Sequence, residues 1–227
     1  MKKTILLAGL ACVCLVFVGC GKSIESQIKT NLSDVRYNVF VGKNNEINVS
    51  LMSGMREMPY NFDGISNKKC EFGIITLTSQ KTKLINSNFT LKVDGAEING
   101  TLEENPYNHS FMTDIEKIID CKSTVYISIE NIVENMILTC ESKEWQVQYN
   151  DALKIGTEAL LEKAKMFVEG NELQAESYLK IIFDQSSNDS PYYWYFGITG
   201  KNGETIAVII DVNTGEIVTD NNQNTTS

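Results

Sequence analysis

The second half of this chain turns on the run Tyr192-Tyr193-Trp194-Tyr195-Phe196-Gly197-Ile198-Thr199. Aromatic and β-branched residues suit a pleated, half-buried surface, and Gly200-Lys201-Asn202-Gly203 supplies the turn that closes the run. Alternation along a strand puts Trp194, Phe196 and Ile198 on one face and Tyr193, Tyr195 and Gly197 on the other. The flanking stretches 176–184 and 205–212 alternate in step. Leu179, Ile181 and Phe183, with Ile206, Val208 and Ile210, join the tryptophan face, while Tyr178, Lys180, Ile182, Ala207 and Ile209 join the tyrosine face. The pattern predicts an antiparallel meander with a fourth strand at 216–219, after a turn at Asn213-Thr214-Gly215.

The tryptophan face needs a cover, and the segment upstream supplies one. Asn150 or Asp151 caps a predicted helix in which Leu153, Gly156, Leu160, Ala164 and Phe167 recur at steps of three and four, until Gly170 stops it. The tyrosine face is too apolar to be left in water, and it has two destinations. Either it packs against the rest of the chain, or Tyr178, Ile182, Tyr193, Tyr195 and Ile209 contact a partner.

The chain closes this region with Ile209-Ile210-Asp211-Val212-Asn213-Thr214-Gly215-Glu216-Ile217-Val218. A polar cap leading into a helix, then a meander ending in an aspartate, Thr-Gly-Glu and an aliphatic residue, resembles a PepSY domain over about residues 150–220. The long helix and the aromatic middle strand depart from that family's pattern. PepSY modules are similar to parts of protease propeptides and are associated with peptidase regulation. The resemblance therefore implies binding to a protein or peptidase, and it transfers no catalytic residue.

Residues 37–145 read as all-β, with strands at 37–41, 46–52, 70–78, 88–93, 97–102, 123–130 and 135–141. Asp94-Gly95 and Gly42-Lys43-Asn44-Asn45 are the clearest turns. About seven such strands suggest an immunoglobulin-like sandwich. Thr113-Asp114-Ile115-Glu116 has the form of a capping box and predicts one helix, to about Asp120. The fold expected is α+β: an N-terminal all-β immunoglobulin-like sandwich (36–146), then a PepSY-like helix plus antiparallel meander (147–220), with a disordered tail at 221–227.

At the start, Lys2 and Lys3 precede an apolar run over residues 5–18, the order of an export signal and too short for a comfortable membrane span. Phe17-Val18-Gly19-Cys20 resembles the lipobox of bacterial lipoproteins, which implies cleavage of residues 1–19, acylation of Cys20 and a lipid anchor on the extracytoplasmic face of the cell membrane. Residues 20–35 are polar, with Ile24, Ile28 and Leu32 at helical spacing, and read as a disordered tether or a short frayed helix.

Cleavage leaves 208 residues, and the formal charge of −9 becomes −11 when Lys2 and Lys3 leave. Only Arg36 and Arg56 represent arginine, and the acidic balance argues against nucleic acid or anionic lipid headgroups as partners. Of six cysteines, Cys70, Cys121 and Cys140 remain beyond the lipid site. Cys121 and Cys140 flank a predicted hairpin but stand about four residues out of register, beyond disulfide reach, so they read as small buried thiols. No C-x-x-C pair marks a metal site.

The sole histidine, His109, lies beside Ser110 and upstream of Asp114, and three neighbours in one loop do not build a triad. No catalytic motif or cofactor motif is present. The reading is a non-enzymatic lipoprotein that binds a protein or peptide outside the cell. The alternatives are a cell-wall hydrolase using paired acids and a structural subunit of an envelope complex.

Overall fold

A computed structural model describes residues 22–61, 63–79, 84–184 and 192–221. The signal segment 1–19, Cys20 and tail residues 222–227 lie outside the described residues. In chain order come α1 (Ile24–Thr30), β1 (Leu32–Lys43), β2 (Ile47–Glu57), β3 (Lys69–Ser79), β4 (Ser87–Val93), β5 (Ala96–Glu104), β6 (Phe111–Ile115), β7 (Val125–Ile129) and β8 (Val133–Cys140). Then follow α2 (Tyr149–Ala164), β9 (Val168–Glu169), β10 (Glu172–Leu173), β11 (Ala175–Phe183), β12 (Tyr192–Gly200), β13 (Thr205–Asp211) and β14 (Ile217–Asn221).

The first eight strands close into an antiparallel barrel, in the order β1-β2-β3-β6-β5-β4-β7-β8, with β8 returning to β1 through Phe40↔Cys140 and Val41↔Thr139. This corrects the immunoglobulin-like sandwich, and the fold is mostly β rather than α+β. The physical reason is the length of β1. At 12 residues it outruns the five-residue strand expected there, so it has room for two neighbours on one side and leaves the barrel no open edge.

Phe40, Leu51, Ile75, Leu91, Leu102 and Ile127 fill the barrel interior, while Asn48, Asn88, Lys92, Asn99 and Thr101 face water. That is the reverse of a membrane-spanning barrel, which turns its apolar side outward. Asp94 and Gly95 form the β4–β5 turn with φ of 51° and 89°, the left-handed pair a two-residue hairpin requires.

The helix expected from Thr113 is strand β6 instead, paired with β3 from Leu77↔Phe111 to Gly73↔Ile115. Burial alternates there, and Asp114 bonds Arg56 at 2.6 Å rather than supporting a helix cap. The cysteine reading is corrected too: Cys121 and Cys140 form a disulfide with Cα atoms 5.3 Å apart. The chain before β7 does not run on as a strand. Ser123 N donates to Asp120 O, and the turn folds Cys121 back towards β8. Cys70 is free and half-buried.

The meander β11–β14 pairs in the predicted alternation, with Lys180↔Tyr195↔Ile209 on one face and Leu179↔Phe196↔Val208 on the other. It is continuous with the barrel. The start of β1 pairs in parallel with β11 (Leu32↔Ser177, Asp34↔Tyr178, Val35↔Leu179), so meander and barrel form one 12-stranded sheet.

Helix α2 covers the tryptophan face. Its cap is Gln148 rather than Asn150 or Asp151, and Gln148 N donates to Asp151 Oδ2 at 3.3 Å. Gly156 lies so close to Phe196 that an added Cβ would sit 2.4 Å from the ring. Trp194 is buried, donates from Nε1 to Val147 O at 2.9 Å, and meets Trp145 edge-on at 5.8 Å.

Residues expected to form a loose tether are part of this second core. Ile28 of α1 and Leu32 of β1 are buried in it. Gln27 clamps α1 to the β9–β10 hairpin, donating to Asn171 O at 2.9 Å and accepting from Leu173 N at 2.7 Å. Asn221, expected in the tail, pairs with Ala207 as the last residue of β14.

Candidate functional site

Tyr178, Ile182, Tyr193, Tyr195 and Ile209 lie on the sheet face away from α2, and all five are half-buried. None belongs to either apolar core. The face continues across the parallel junction onto the barrel, because Asp34 stands beside Tyr178 and opposite Arg56. Lys180 Nζ lies 3.3 Å from Asp34 Oδ2, and Arg36 binds the same carboxylate at 2.8 Å. Apolar and aromatic area on the meander thus gives way to charge at β1. At the opposite border lies β14, the outermost strand of the sheet, where Ile217 and Val218 are exposed.

One corner of the face is locked by groups the sequence did not single out. Glu176 is fully buried, and its Oε1 accepts from the backbone N–H groups of Asp63 and Gly64 at 3.1 and 3.2 Å. Its Oε2 accepts from the Tyr178 hydroxyl at 3.0 Å, and Tyr60 O–H meets Tyr178 O–H at 2.8 Å. Tyr178 is therefore held by its tip while Lys180 stands 4.8 Å from its ring centre. A glutamate in a strand of otherwise alternating residues was the only signal available for this, and it named no partner.

Burial raises the pKa of Tyr178, with the bonds to Tyr60 and Glu176 adding to it. Burial likewise raises Tyr37, Tyr60, Tyr149, Tyr192 and Tyr195. A tyrosine with a raised folded value ionises first in the unfolded chain, so its contribution is intact below about pH 10 and is lost as pH climbs towards the folded value. Lys69, lowered by burial against the pull of Glu57, gives the opposite slope, one group against six. The unfolding temperature is expected to hold through neutral pH and to drop above about pH 10, together with a rise in tyrosinate absorbance. Calorimetry showing no drop by about pH 11 would remove this account.

A second surface was not foreseen. A shallow groove of about 860 Å³ crosses the outer side of β4, β5 and β7, with residues 131–134 as one wall. Thr90 Oγ1 donates to Asn99 Oδ1 at 2.7 Å, Thr101 Oγ1 to Asn88 Oδ1 at 3.1 Å, and Asn88 Nδ2 to Glu130 Oε2 at 2.9 Å. These side chains satisfy one another, and the groove carries Glu130 and Glu134 with no lysine or arginine in its lining.

His109 Nδ1 lies 2.9 Å from Glu104 Oε1, Ser110 Oγ donates to Asn108 at 2.7 Å, and Asp114 is taken by Arg56. The three members of the would-be triad thus face different partners. The Asp211 turn is closed by its own carboxylate, whose Oδ1 accepts from Asn213 N and Thr214 N at 2.7 and 2.9 Å. Gly215 takes a φ of 76° there. Among the described residues no three His, Cys, Asp or Glu side chains converge as a metal site, and no helix is long and apolar enough to cross a membrane. The chain matches no protein-family model, no curated protein and no solved structure.

Proposed function

We propose that this chain is a lipoprotein, anchored through Cys20 on the extracytoplasmic face of a membrane, which binds an extended peptide segment of another protein. The observation that carries the binding reading is the tyrosine face, outside both cores and bordered by β14, whose outer edge pairs with no other strand among the described residues. An outermost strand offers backbone donors and acceptors to an added strand, with Val218 beside it, and Ile209 and Tyr195 on the next two strands extend the contact surface inward. Regulation of an extracellular peptidase is the narrowest form of the reading, and it rests on the PepSY resemblance of residues 209–218. The export signal supports the location, as does the Cys121–Cys140 disulfide, since such bonds persist outside the reducing cytosol.

The test is photocrosslinking in living cells from probes placed at Tyr195, Val218 and, as a control on the barrel, Asn99. The partner captured at the first two positions, once purified, should bind the Tyr195→Ser or Val218→Lys protein roughly tenfold more weakly, about 1.4 kcal/mol, with the unfolding temperature retained. Equal capture from all three positions, or unchanged affinity, would refute the reading.

A further inference from the structure

From the end of the fold that carries α1, we infer a membrane-resting surface, built from the α1 start, the turn after α2, the β9–β10 hairpin and the loop before β3. The inference rests on the proposed acylation of Cys20. Three residue steps separate Cys20 from Ser23, the capping residue of α1, and they span at most about 11 Å. Because Gln27 fixes α1 to the β9–β10 hairpin, there is no room for a swinging tether. The anchor holds this end of the body against the headgroups.

Two exposed apolar side chains lie at this end of the fold. Ile65 shares a hollow with Lys22, Gln27 and Asn171, and Met166 shares another with Glu169, Gln174 and Lys201 on the other side of the β9–β10 hairpin. Ile65 is 50% exposed and Met166 64%. Isolated in water they have no packing role, but a bilayer interface would receive both.

The charge of this end fits the same partner. The chain as a whole is acidic, yet here Lys29 pairs with Glu25, Lys165 with Glu162 and Lys201 with Glu169, while Lys22 and Lys68 add positive charge and Asp63 and Glu172 negative. A near-neutral end with lysines at its rim is repelled less by anionic lipid than the chain's net charge alone would imply. The long strand β1 then leads from this end, over up to about 35 Å of chain, towards the turn at Asn45.

The experiment uses the full acylated chain in a Cys70→Ser background, reconstituted in vesicles of phosphatidylcholine with phosphatidylglycerol. An environment-sensitive fluorophore is attached in turn to Ile65→Cys, Met166→Cys and Asn45→Cys. The first two should shift to the blue on reconstitution and be quenched by headgroup-labelled lipid, and the third should show neither effect. If the protein floats with the vesicles but all three probes stay in water, the resting surface is wrong and the lipoprotein reading survives. If Cys20 carries no acyl group by mass and the protein does not float, both fail.

Discussion

Gly54→Ala should lower stability by about 3 kcal/mol, with the unfolding temperature falling by roughly 10 °C. A Cβ at Gly54 would stand 1.8 Å from the carbonyl oxygen of Val35 and 2.8 Å from its carbon. Both are backbone atoms and cannot swing away as a flexible side chain would. The site is also where β1 changes partners. An extra residue enters β1 between Arg36 and Asn38, below it β1 pairs with β11, and above it β1 closes the barrel with β8. Phe72, directly across from Gly54, is buried beneath Arg56 at 4.7 Å and Arg36 at 5.8 Å. Ser50→Ala, on the same strand, should change stability by no more than about 0.5 kcal/mol. Similar denaturation curves for the two variants would show that the close approach of β1 and β2 is not needed.

Removing the disulfide comes next in size. The bridge joins residues 19 apart, and closing a loop of that length restricts the unfolded chain by about 3 kcal/mol in the chain-entropy account. It also pins the barrel seam. Cys140 pairs with Phe40 across the closure, and Ser142, whose Oγ lies 3.3 Å from each sulfur, accepts from Val39 N at 3.1 Å. Cys121→Ser with Cys140→Ser, or a reductant, should move the denaturation midpoint of the full chain down by a corresponding amount. Cys70→Ser should leave the reductant response in place. Thiol counting that found Cys121 and Cys140 both reduced in protein purified without reductant would contradict the bridge.

Local signals were legible wherever a strand has one wet side and one dry side. The split of Tyr193 and Tyr195 from Trp194 and Phe196 could be read at once, because a side chain's face follows from its position alone. The end of β6 misled for the same kind of reason. Thr113-Asp114-Ile115-Glu116 satisfies a helix cap locally, but pairing with β3 and the bond from Arg56 to Asp114 reward the extended form more. Tyr60 and Glu176 could not be connected in advance, since 116 residues of chain separate groups that meet through Tyr178.

Composition and pattern were enough for the wet and dry faces of the meander, the helix that covers it, the tight turn at Asp94-Gly95 and an export signal as an expectation. Each depends on interactions within a few residues or on a period that every strand or helix repeats. Barrel closure, the joining of meander to barrel through β1, the disulfide and the docking of α1 depend on contacts between distant segments. Those were settled by which arrangement of the whole chain buries the apolar residues and leaves the fewest unpaired backbone groups, a choice that no single segment carries.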